Sequence, residues 1–112
     1  YAPGVSEERK IELDGLVLYP ERPELHFNGN STVLTKKEAV LAEVLMRMSP
    51  RAASRDVLME KLWDDRTFID ENTLNVNVAR LRKKLQEIGI DDAIETVRGH
   101  GYRLNASWRN KS

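Results

Sequence analysis

Apolar and polar residues alternate along the first third of the chain. Ile11 and Leu13 flank Glu12, and Asp14-Gly15 then leads into Leu-Val-Leu-Tyr at 16–19. Leu25 and Phe27 alternate within Glu-Leu-His-Phe, and Asn28-Gly29 leads into Ser-Thr-Val-Leu at 31–34. A period of two marks half-buried strands, and Asp-Gly and Asn-Gly supply the positive φ angles that tight hairpins need. The pattern predicts a small antiparallel sheet over about residues 10–34.

The period then changes. Thr-Lys-Lys-Glu (35–38) has the form of a capping box, so Thr35 is expected to start a helix. Val40, Leu41, Val44, Leu45 and Met48 mark one apolar face, and Pro50 ends the helix. Ser54 is placed to cap a second, short helix, with Val57, Leu58 and Leu62 turned inward. A third helix begins near Asn72 or Thr73, capped by Asp70 or Asn72. In it Leu74, Val78, Leu81, Leu85 and Ile88 step by four and three residues into one stripe, and Gly89 supplies the stop. Two strands follow in Ile94–Leu104, around the turn Arg98-Gly99-His100-Gly101, with imperfect alternation. The order is sheet, three helices, hairpin. A helix pair ending in a long helix and followed by a hairpin fits a winged helix-turn-helix, an α+β fold.

The third helix carries the candidate chemistry. At 100° per residue, with Leu74 at zero, the apolar stripe lies within roughly 40° of one line. Asn72, Ala79, Lys83, Val76 and Arg80 fall at roughly 140–240°, on the opposite side. That face holds no acid until Glu87. Asn75 and Arg82 lie on one flank, and Thr73, Asn77 and Lys84 on the other. Arg can make two hydrogen bonds to a guanine edge and Asn two to adenine, while Val or Ala can meet a thymine methyl. Basic, hydroxyl and amide groups around them can reach phosphates. A single exposed valine is also common on an ordinary solvated helix, so this face alone leaves both readings open.

Composition narrows the classes. The 112 residues suit one domain, 40% of them are hydrophobic, and there is no cysteine. A disulfide framework and thiolate metal sites are excluded, and a reducing compartment is compatible. No apolar run approaches the ~20 residues of a membrane span. Net charge is zero, which argues against a uniformly basic nucleic-acid binder. The charge is nonetheless uneven: residues 1–70 hold ten Lys/Arg and thirteen Asp/Glu, and residues 71–112 hold eight and five. The halves are therefore −3 and +3. The start at Tyr1 and the Pro, Gly and charge of residues 1–9 read as a linker remnant on a fragment. Residues 10–105 form the expected domain, and 106–112 a tail.

Arg98, His100 and Arg103 cluster at the hairpin tip, where a basic side chain can sense a narrow minor groove. Thr96 and Tyr102 are candidates for phosphate, although Tyr102 also suits a half-buried site. Trp63 reads as a core or loop anchor. Arg55 is equally a phosphate ligand or a solvated residue. The loop Asp64–Asp70 is longer than a compact helix-turn-helix needs, and is either a connector or a partner surface. Asp64/Asp65 and Asp91/Asp92 are adjacent carboxylates, better read as loop and cap chemistry than as a catalytic pair. His26 and His100 have no metal or nucleophile spacing. No enzyme, metal site or cofactor is expected. A protein-interaction module is the second reading, favoured by the neutral charge and the acidic N-terminal half.

The segments "LTKKEAVLAEVLM", "SRDVLMEKLW", "TLNVNVARLRKKL" and "IETVRGHGYRL" together resemble the DNA-binding domain of OmpR/PhoB-type response regulators, over about residues 10–105. Within that family, "FIDENTLNVNVARLRKKL" looks most like regulators of resistance to cell-wall-active peptides. The resemblance implies a winged helix with a four-stranded N-terminal sheet, a third helix in the major groove and a hairpin at the minor groove. It implies base contacts from Asn75, Val76 and Arg80, with Ala79 beside them. It implies backbone contacts from Arg55, Trp63, Thr73, Asn77, Arg82, Thr96 and Tyr102, to which Lys83 is added, and a wing role for Arg98, with His100 next to it. The loop Asp64, Asp65, Arg66, Thr67, Phe68 would face RNA polymerase. A receiver domain, phosphorylated by a histidine kinase, would belong to the missing N-terminal part of a cytoplasmic protein that pairs on direct DNA repeats. Several members have arginine where Ala79 stands and an acid where Asn75 stands, which points to a different operator.

Overall fold

A computed structural model describes residues 10–63 and 70–105. The expected linker, the tail and the loop residues Asp64, Asp65, Arg66, Thr67 and Phe68 lie outside the described residues. Strands β1 (Ile11–Leu13), β2 (Leu16–Tyr19), β3 (Glu24–Phe27) and β4 (Asn30–Val33) form one antiparallel sheet in sequential order. Asp14-Gly15 and Asn28-Gly29 take positive φ at both residues. That is the turn geometry that matches the strands' own twist and fixes their register. Leu16, Leu18 and Leu25 are buried on the inner face.

Helix α1 (Lys36–Met48) starts in the expected capping box. Thr35 Oγ1 accepts from the Glu38 amide at 3.1 Å, and the Glu38 carboxylate accepts from the Thr35 amide at 3.0 Å. Its inward face differs from the expected one. Leu41 and Leu45 are buried, but so are Glu38, Ala39, Ala42 and Met46, while Val40, Val44 and Met48 are only partly covered. The helix has two apolar arcs. The arc with the alanines permits a closer approach to the first sheet and the third helix. The valine arc is left at the margin, beside the second helix.

Strand β5 (Ala53–Ser54) and helix α2 (Arg55–Leu62) follow. Ser54 caps α2 by accepting from the Val57 amide at 3.1 Å. Leu58 and Leu62 are buried as expected, but Val57 is 39% exposed. An eight-residue helix covers one narrow stripe, and Val57 stands one position off it. Trp63 is 52% exposed and is no core anchor.

Helix α3 (Glu71–Glu87) begins one residue earlier than expected, because Asp70 is its cap. The whole stripe Leu74, Val78, Leu81, Leu85 and Ile88 is buried. Strands β6 (Ile94–Val97) and β7 (Gly101–Leu104) form the hairpin. The hairpin is not isolated: β5 pairs with β7, giving a three-stranded sheet of order β5-β7-β6. Two residues carry no periodicity, so β5 is invisible in the pattern.

Gly101 makes that pairing possible. A Cβ there would sit 2.0 Å from the Ala53 carbonyl oxygen and 2.9 Å from the Arg55 amide nitrogen. Both are backbone atoms, which cannot swing aside. Gly101→Ala is therefore expected to destabilise the fold by about 3 kcal/mol or more, at the top of the range for overpacking. Denaturant unfolding of the two proteins measures it.

Candidate nucleic-acid interface

The buried stripe sets the rotation of α3, and the rotation sets what faces outward. Asn72, Asn75, Val76, Ala79, Arg80 and Lys83 are exposed, and Val76 is 39% accessible. Asn72, Val76, Ala79, Arg80 and Lys83 occupy the face expected from the helical angles, and Asn75 lies on its flank. Thr73 is half-buried; its hydroxyl donates to Asp70 Oδ1 at 2.9 Å and its amide does so at 2.8 Å.

Several of the expected backbone-contacting residues also have partners within the protein, Thr73 among them. Asn77 is buried, and its Nδ2 donates to the Thr73 carbonyl one turn earlier, at 2.9 Å. That bond uses one of the two Nδ2 protons, and Asn77 also lines the cleft beside Val76 and Arg80. Arg82 donates through Nε and Nη2 to the Ile94 carbonyl, at 3.3 and 3.2 Å, and through Nη2 to Thr96 Oγ1 at 3.2 Å. It ties α3 to β6. Tyr102 is buried, and its hydroxyl donates to Asn75 Oδ1 at 2.7 Å. It ties β7 to α3. Asn77 and Arg82 lie on the flanks of α3 and Tyr102 on β7 beside it, where helix and hairpin share these polar atoms with any ligand.

Arg55 Nε lies 3.6 Å from Glu71 Oε2, linking the starts of α2 and α3. The Arg55 amide donates to the His100 carbonyl at 3.0 Å, which anchors the hairpin turn on α2. Arg98 and His100 are exposed at that turn, as expected, and Gly99 takes φ +73°. Thr96 is exposed beside them. Arg103 instead pairs with Glu95, its cross-strand neighbour, through Nε at 2.9 Å. The Arg103 guanidinium holds the Glu95 carboxyl below the usual carboxylate range.

The structure adds residues that the sequence reading passed over. A cleft of about 500 Å³ runs between the N-terminus of α1 and the outer face of α3. It is lined by Thr35, Lys36 and Lys37 on one side and by Thr73, Val76 and Arg80 on the other. Lys36 and Lys37 therefore extend the basic surface of Arg80 and Lys83. Their signal in the sequence is the "TKKE" segment, whose two lysines occupy the middle of the capping box. Among the described residues, no group of acidic, His or Cys side chains could hold a metal ion, and no helix is long and apolar enough to cross a membrane.

Residues 29–104 match the model of the family described as "Transcriptional regulatory protein, C terminal". This chain belongs to that family. It is 50% identical over 99 residues to the transcriptional regulatory protein YxdJ of Bacillus subtilis, covering 88% of this chain and 43% of that protein. The chain thus spans about half the length of the curated relatives it matches. Among solved structures, it is similar to the C-terminal domain of the nisin resistance regulator NsrR, a lantibiotic response regulator. The identity is 39% and the TM-score 0.74, over 85% of this chain and 96% of that one. It is also similar to the DNA-binding domain of the response regulator AdeR, solved in complex with an intercistronic region. There the identity is 26% and the TM-score 0.73, over 85% and 97% of the two chains. The expected α+β winged helix-turn-helix is the fold of this family's DNA-binding domains, and three helices between a four-stranded sheet and a hairpin reproduce it.

Asp70 gives the site a pH limit. The Thr73 amide, and then its hydroxyl, hold the Asp70 carboxyl below its ordinary value. A depressed folded value means that the cap contributes above the unfolded carboxylate pKa of about 3.9 and is lost as pH falls through the folded value. The Thr73 amide resonance should therefore shift in acid, below about pH 4, and stay flat over the same range in Asp70→Asn.

Proposed function

We propose that this domain reads double-stranded DNA with the outer face of α3 in the major groove and the turn between β6 and β7 at the minor groove. One observation carries the reading. Val76, Ala79, Arg80 and Lys83 share an exposed, acid-free face opposite a fully buried stripe. Charge would have nothing to gain from Val76 there, whereas a thymine methyl would. Arg80 is the guanine reader, and the short side chain of Ala79 lets the helix approach the base edges.

Lys83, Lys36 and Lys37 are assigned to phosphates on one margin of the groove. Thr73, Thr96, Arg98 and His100 take phosphate or minor-groove contacts on the others, with Arg55 at the start of α2 and the exposed Trp63 at its end. Asn77, Arg82 and Tyr102 serve chiefly to hold the reading face and the wing in place. The longer relatives support a receiver domain, phosphorylated by a histidine kinase, in a cytoplasmic regulator that pairs on direct half-sites about one helical turn apart. Asp64–Phe68 is the proposed polymerase-facing loop. Likeness to NsrR supports a gene-control role in the response to lantibiotic-type peptides.

Selection from random duplexes tests the reading. Enrichment of a defined site is expected; absence of binding to mixed-sequence duplex at low salt would favour a protein-interaction module instead. Arg80→Ala should cost roughly 1–3 kcal/mol on the selected site and blur one base position. An unchanged preference would remove Arg80 from the reading face. Lys36→Gln and Lys83→Gln should each weaken all sequences alike and reduce the slope of log K against log salt by about 0.9.

A further inference from the structure

We infer that Tyr102 restricts Asn75 to a donor, so that this position reads guanine rather than adenine. The inference rests on α3 lying in the major groove. An asparagine recognises adenine with two atoms at once: its nitrogen donates to N7 while its oxygen accepts from the N6 amino group. That requires the edge bearing both atoms to face the base. Here the oxygen is turned to a hydroxyl of the protein itself. Tyr102 OH lies 2.7 Å from Asn75 Oδ1. Tyr102 is only 6% exposed, and a phenol so placed usually bonds within the protein; Asn75 Oδ1 is its acceptor here.

Geometry reinforces the direction. Tyr102 sits on β7, whose pairing to β5 depends on the neighbouring Gly101, and opposite Thr96 on β6. Arg82, seven residues after Asn75 on the same flank, is bound to Ile94 and Thr96. The strands that hold the phenol are thus fastened to the helix that carries the amide. With one lone pair of its oxygen taken by the phenol and that oxygen turned toward β7, exposed Asn75 offers the groove chiefly its Nδ2 protons. A donor-only group fits best the base edge that shows two acceptors and no donor, N7 and O6 of guanine; thymine offers a single acceptor, O4, beside its methyl group. Cytosine presents its amino donor, and adenine's second bond has to share an oxygen already held by the phenol. Tyr102 is therefore a positioning residue that sets base preference without touching DNA.

The test is site selection by the 112-residue chain and by Asn75→Ala, Asn75→Asp and Tyr102→Phe, each first checked for folding by circular dichroism. Asn75→Ala should flatten one base position, which identifies the pair that Asn75 reads. The unaltered chain should hold a G·C pair there, preferred over A·T by roughly 5- to 150-fold, the range for one good base contact. Tyr102→Phe frees the amide to turn, and the preference should fall below about threefold or pass to adenine. Asn75→Asp keeps an acceptor for the phenol but removes the donor, and should favour cytosine on the strand that carried guanine. An A·T pair in the unaltered chain's site, or an unmoved preference in Tyr102→Phe, overturns the inference. If Asn75→Ala flattens no position, the inference fails while DNA reading stands. If the unaltered chain enriches no site, the reading itself fails and the inference with it.

Discussion

The constraint on which the rest depends is the burial of one line of side chains along α3. Leu74, Val78, Leu81, Leu85 and Ile88 are each at most 3% exposed. Burying a large aliphatic side chain stabilises by about 1.5–3 kcal/mol, so turning the helix by one residue would forfeit several such contributions together. The rotation of α3 is therefore fixed by the core, and the outward display of Val76, Ala79, Arg80 and Lys83 follows from it. The interface is specified by what lies beneath it.

Rotation alone does not hold a two-part interface, because the hairpin must keep a set distance from α3. Four contacts supply that. Gly101 lets β7 lie against β5, and the Arg55 amide takes the His100 carbonyl. Arg82 holds the Ile94 carbonyl, and Tyr102 reaches Asn75. Each joins a different pair of elements, so α2, α3 and the hairpin form one body. A groove reader gains from this, since a helix and a wing fixed in advance lose little freedom when they bind. The same contacts explain why polar residues on the flanks of α3 are not all available to a ligand.

Much of this was legible from local rules. The two Asp-Gly and Asn-Gly turns, the capping box at Thr35, the cap at Ser54 and the stripe of α3 each depend on residues within a few positions of one another. Local chemistry decides them, and they came out as expected. The misses share a cause as well. Val40, Val44, Met48 and Val57 are apolar and correctly spaced, yet stand at the margin, because which arc of a helix is covered depends on what lies alongside it. Ala53–Ser54 is a strand only because β7 pairs with it.

The sequence by itself determined every element but β5, their order, the buried stripe of α3 and hence the residues opposite to it, since helical period and turn chemistry act over short separations. The tertiary structure alone decided which polar side chains remain free on that surface. Asn77, Arg82 and Tyr102, expected from sequence at the DNA backbone, also bond partners one turn, 12 and 27 residues away. It also brought Lys36 and Lys37 beside Arg80, across more than forty residues of chain. Hydrogen bonds and charge depend on distance in space, and only folding sets that distance.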